Sequence, residues 1–170
     1  MGTLAGINMY VYALNNPLNL VDPYGLDVII LNNPNGANGY GHQGIAIGNN
    51  DKGWVYLSQL GPANGGGVAI NYGGKENLLD AQGQYSNAYY ISTSPQQDDE
   101  ALIYAEQNLN HPYNWWNPFS HYQCADLVSG ALTAANIPIG DVPFENIPND
   151  AYKQIKNANP DPIGHLIKGQ

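Results

Sequence analysis

Short apolar runs bounded by turn residues fill the first half of the chain, and helical spacing takes over in the second. Val28 to Leu31 is an apolar run of the length of a buried strand. An Asn- and Gly-rich loop follows at 32–41. The segments GIAIG at 44–48 and GWVYLSQ at 53–59 read as two strands, joined by Asn49, Asn50, Asp51 and Lys52 as a hairpin turn. After a glycine-rich loop at 61–67, residues 68–72 and 88–92 are further strand candidates.

Ser94-Pro95-Gln96-Gln97 carries an N-cap serine, a proline at the first helical position and a glutamine three residues after the cap. Asp98, Asp99 and Glu100 suit the positive start of that helix, and Ala101, Ala105 and Leu109 share one face. A second helix is clearer: Cys124, Leu127, Val128, Ala131, Leu132 and Ala135 recur at helical spacing, and Asn136 and Pro138 end it. A short third helix is expected near 150–156. The pattern predicts an α+β fold, a small antiparallel sheet packed against two or three helices.

Composition narrows the function. Thirteen tyrosines and three tryptophans supply apolar area for a core in a chain with only 11% charged residues. The net charge is −9, with five lysines and no arginine, which speaks against a nucleic-acid partner because a phosphate backbone asks for a basic patch. A single cysteine excludes an intrachain disulfide. No segment is long and apolar enough for a membrane helix, and no basic-then-apolar leader opens the sequence, so the expectation is either a protein that stays cytosolic or one carried by something else.

The first 26 residues read as a separate module. Tyr10 and Tyr12 alternate with aliphatic neighbours, and Asn15-Asn16-Pro17 and Asp22-Pro23-Tyr24-Gly25 are turn sequences. Pro17, Asp22, Pro23, Gly25 and Leu26 fit the pattern P-x-x-x-x-D-P-x-G-L, and the stretch resembles the end of the Rhs repeat-associated core. The resemblance implies that residues 1–26 end an Rhs shell and that 27–170 form a toxin domain. It also implies a secreted antibacterial effector, delivered to the periplasm or cytoplasmic membrane of a target cell and neutralised by a cognate immunity protein.

Cys124 falls in the first turn of the second helix, where unpaired amides and the helix dipole favour a thiolate. The aromatic segment 111–123 before it, HPYNWWNPFSHYQ, suits a cleft that leaves the sulfur reachable. A thiol catalyst needs a base, and the residues alone leave His42, His111, His121 and His165 open. GHQGIAIGN, then GWVYLS, then YQCADLVSGAL resembles the permuted papain-like thiol enzymes, which include NlpC-like peptidases and lecithin:retinol acyltransferase-like proteins. That resemblance implies a histidine first, on a strand, and a cysteine later, opening a helix: His42 as base and Cys124 as nucleophile. Gln123 departs from the pattern, in which asparagine commonly precedes the cysteine.

Ser58 is the chosen third residue, from the same side of its strand as Tyr56. Asp126 reads as a helix-start charge. Gln123 and Tyr40 are expected at the oxyanion site and cleft, with Tyr113, Trp115, Trp116 and Phe119 binding substrate. Neither metal nor cofactor is expected. The reaction expected is acyl transfer or hydrolysis on membrane lipid esters, as in a phospholipase A. Alternatives are cleavage of peptidoglycan amides, deamidation of a target protein, or a binding toxin without catalysis.

Overall fold

Continuous apolar runs in the central strands build a sheet covered on both faces there. The computed structural model describes residues 26–49, 51–61, 66–81, 83–114, 122–141, 147–160 and 165–167. In chain order the elements are β1 (Leu26–Asn33), β2 (His42–Asn49), β3 (Gly53–Gln59), β4 (Gly67–Tyr72), α1 (Lys75–Ala81), β5 (Asn87–Thr93), α2 (Pro95–Asn108), α3 (Cys124–Ala134), α4 (Pro148–Ala158) and β6 (His165–Ile167). The strands lie in the order β4-β3-β2-β1-β5-β6, and every neighbouring pair is antiparallel. This is an α+β fold, as the pattern predicts.

On one face Val28, Ile30, Ile45, Ile47 and Leu57 pack against the apolar sides of α2, α3 and α4. Leu127, Val128, Ala131 and Leu132 of α3 are fully buried there, each large side chain contributing roughly 1.5–3 kcal/mol. The opposite face is more aromatic: Ile29, Leu31 and Ala46 pack with Trp54, Tyr56, Tyr85 and Tyr90, and Leu78 of α1 covers them. Burial on both faces explains why β1 is a continuous apolar run rather than an alternating one.

Four α-helices are present among the described residues, one more than the upper expectation. The addition is α1, only seven residues long, whose neighbouring leucines hide its periodicity. The capping box at Ser94 starts α2, with Ser94 Oγ accepting from Gln97 N at 3.3 Å. The third expected helix is α4, longer than 150–156 because Pro148 takes a first-turn position. His165, expected in a proline-rich tail, opens β6, which pairs with β5. The Rhs-like stretch 1–26 lies outside the described residues except Leu26, which opens β1 and pairs with Thr93.

Candidate active site

The β2–β3 ladder is continuous from Asn49–Gly53 to Ile45–Leu57. Carried two pairs further in the same register, it would set Gly44 opposite Ser58 and Gln43 opposite Gln59. Instead the backbone of Gln43 is taken over by side chains. Its N–H donates to Cys124 Sγ at 3.5 Å, and its carbonyl accepts from Ser58 Oγ at 3.2 Å. Its own side chain, fully buried, donates from Nε2 to Pro148 O at 2.6 Å. Gln43 is therefore a hub between β3, α3 and α4.

His42 is the first residue of β2 and Cys124 the first of α3. Ser58 Oγ lies 3.1 Å from His42 Nε2. A serine hydroxyl has one proton, and here it points to the Gln43 carbonyl, so toward the imidazole the oxygen accepts. With the hydroxyl proton on the Gln43 carbonyl, a neutral His42 carries its proton on Nε2 and its lone pair on Nδ1. Tyr85 stacks on the imidazole, with ring centroids 5.7 Å apart and planes at 19°. The Tyr85 hydroxyl is 2.8 Å from that of Tyr56 and 3.5 Å from Ser58 Oγ. Gly44 leaves room for these tyrosines: a Cβ there would fall 2.7 Å from the Tyr56 ring and 2.9 Å from the Tyr85 oxygen.

Electrostatics favour neutral partners at rest. Burial pushes the Cys124 thiol up to about 11; the amides of Gln43, Ala125 and Cys124 pull it down, and the Asp126 carboxylate pushes it up. Burial likewise lowers His42 below its ordinary 6.5. The expectation that the helix start holds a thiolate is thus corrected: the amides do face the sulfur, but desolvation outweighs them. The sulfur is also less reachable than the loop sequence suggests, with Cys124 only 3% exposed. No hydrogen bond joins imidazole to sulfur among the described residues. The two are linked through Gln43, whose amide holds the sulfur while its carbonyl holds Ser58.

The other expected site residues divide. Asp126 accepts from the Gln123 N–H through Oδ2 at 2.8 Å, a helix-start role as read from the sequence. That bond engages the Gln123 amide, so the donors around the sulfur are Cys124, Ala125 and Gln43. Tyr40 is largely exposed, and what it brings inward is its carbonyl, which accepts from Asn149 N at 3.1 Å. Tyr113 is half-buried, and its phenol is raised by burial and then by the nearby Cys124 and Asp126 charges. Trp115, Trp116, Phe119 and His121 lie outside the described residues. Among the described residues no group of three or more His, Cys, Asp and Glu side chains is arranged to hold a metal ion.

Sequence reading missed Gln43 and Tyr85. Gln43 carried a signal, a polar residue on the buried side of an apolar strand. Tyr85 sits in the loop before β5 and had none.

The chain matches no protein-family model, no curated protein and no solved structure.

Proposed function

We propose that the chain is the toxin end of an Rhs-type effector and acts as a permuted papain-like thiol hydrolase or acyltransferase, with Cys124 as nucleophile, His42 as base and Ser58 as the residue that orients His42. The observation that carries this reading is the Gln43 junction. The sulfur of the sole cysteine, at the head of a helix, is held by the residue next to a histidine whose Nε2 is engaged by serine. The order, histidine on a strand and cysteine opening a helix, supports the permuted arrangement.

In the reaction His42 Nδ1 takes the thiol proton as Cys124 Sγ attacks an acyl carbon. The helix-start N–H groups of Cys124 and Ala125 stabilise the negative charge on the acyl oxygen, while the Gln43 N–H holds the sulfur. The carbon–oxygen bond to the leaving alcohol breaks, and His42 returns the proton to that oxygen. Water, deprotonated by His42, then cleaves the thioester and frees the acid and the thiol; an acceptor alcohol in place of water gives transfer. Because both groups rest neutral, the proton moves when substrate arrives.

The favoured substrate is a lipid acyl ester. Its support is the resemblance to the permuted group, in which lipid acyl esters are frequent substrates, together with the buried aromatic packing of Tyr56 and Tyr85 beside His42. The protein would be delivered into target cells and silenced by a cognate immunity protein. Incubating the protein with phospholipid vesicles and with peptidoglycan, followed by mass spectrometry, tests the reading. Fatty acid and lysophospholipid that disappear in Cys124→Ala are expected. Peptide fragments from peptidoglycan would move the substrate to the amide class, and no product from either would remove the support for the lipid reading.

A further inference from the structure

The residues on both sides of His42 are held by the first turn of α4. Asn149 N donates to Tyr40 O at 3.1 Å, using a helix-start amide that has no partner within the helix. Asn149 Nδ2 donates to Pro34 O at 3.1 Å and to Gly39 O at 2.9 Å, and Oδ1 accepts from Asn32 Nδ2 at 3.1 Å. On the other flank, Pro148 O accepts from the Gln43 side chain.

The fit around this clamp is close. Gly41 has φ +99°, and a Cβ on it would lie 2.5 Å from Asn149 Oδ1. The held loop in turn packs onto His42: a Cβ on Gly36 would lie 2.7 Å from His42 Cβ. A strand start would ordinarily be free to shift along its loop. Here one asparagine binds β1, the loop and the residue two before the histidine, 107 positions away in sequence (149 − 42).

We propose that Asn149 is a positioning residue for His42, keeping the start of β2 where the imidazole meets Ser58 and Gln43 meets the sulfur. The proposal rests on the thiol–imidazole reading above. Asn149 touches neither reacting atom; it acts through the 34–41 loop.

Because Cys124 is the sole cysteine, its alkylation by iodoacetamide reports the pair without any knowledge of the substrate. The rate is followed from pH 5 to pH 10 in the full chain. General-base help from neutral His42 gives a shoulder at neutral pH, lying below the steep rise toward the thiol's own ionisation. Asn149→Ala is expected to lower that shoulder on the order of tenfold while leaving the alkaline rise in place. Gly41→Ala, which pushes on the same clamp from the loop side, is expected to do likewise.

Asn159→Ala is the control. It removes bonds to Pro138 O and Ile155 O at the far end of α4, and the shoulder should stand. Circular dichroism and thermal melting confirm that each variant folds. An unchanged shoulder in folded Asn149→Ala, or an equal loss in Asn159→Ala, overturns the positioning role. Faster alkylation at every pH means that the loop only shields the sulfur, and overturns it too. If His42→Ala itself keeps the shoulder, the thiol–imidazole reading fails and the proposal falls with it.

Discussion

The two ends of the β2–β3 hairpin are built from the same strands and do opposite things. At the turn end the ladder is complete down to Asn49 and Gly53. The Asn49 side chain accepts from Asp51 N at 2.9 Å and Lys52 N at 2.7 Å. Gly48, at φ +145°, lies so close that a Cβ would collide with the Gly53 carbonyl. At the other end the ladder stops, and a sulfur and a hydroxyl take the bonds that a third backbone would have made. Buried backbone groups must be satisfied at both ends. At the turn end the ladder and the Asn49 amide oxygen satisfy them; at the other end a thiol and a hydroxyl do, and the sheet holds those two groups on its own frame.

This contrast breaks most sharply at the open end. Cys124→Ala is expected to abolish product formation and toxicity, since no second thiol exists. It also leaves the Gln43 N–H without its acceptor, so urea unfolding should show a loss of about 1–3 kcal/mol with the fold retained. His42→Ala should lower turnover by about 10²–10⁴-fold with smaller change in stability. A His42→Ala protein of near wild-type activity would move the base elsewhere.

Ser58→Ala tests whether the hydroxyl orients the imidazole. It frees Nε2 and the Gln43 carbonyl together, and turnover is expected to fall about tenfold, with substrate KM little changed. A rise in KM alone would make Ser58 a substrate contact instead.

The closed end should behave in the reverse way. Gly48→Ala forces a side chain into a left-handed backbone against Gly53, at a cost of about 1–3 kcal/mol in urea unfolding. Activity per folded molecule should hold. The mildest effect concerns pH. Burial lowers His42, so the base stays unprotonated as pH falls through 6.5, and the acid limb of kcat/KM should lie below that value. A limb above 6.5 would mean a charged partner raises the imidazole.

Much of this was legible in local pattern. The apolar run at 28–31, the GIAIG and GWVYLSQ strands, the Ser94 capping box and the spacing from Cys124 to Ala135 each specify an element through forces acting within a few residues. They also place His42 at a strand start and Cys124 at a helix start, which follows from where apolar periodicity begins. α1 escaped because seven residues are too few for a period to stand out.

What the tertiary structure alone decided is how those starts relate. That the sulfur sits on the Gln43 amide, that Ser58 rather than Tyr56 reaches the imidazole, and that Tyr85 and Asn149 brace it all depend on residues 15 to 117 positions apart brought together by packing. Ionisation was decided there as well. From sequence, a cysteine at a helix start is expected to hold a thiolate, because the amides and dipole are local. Desolvation is a property of everything packed around the sulfur, and here it outweighs the helix and leaves the thiol protonated.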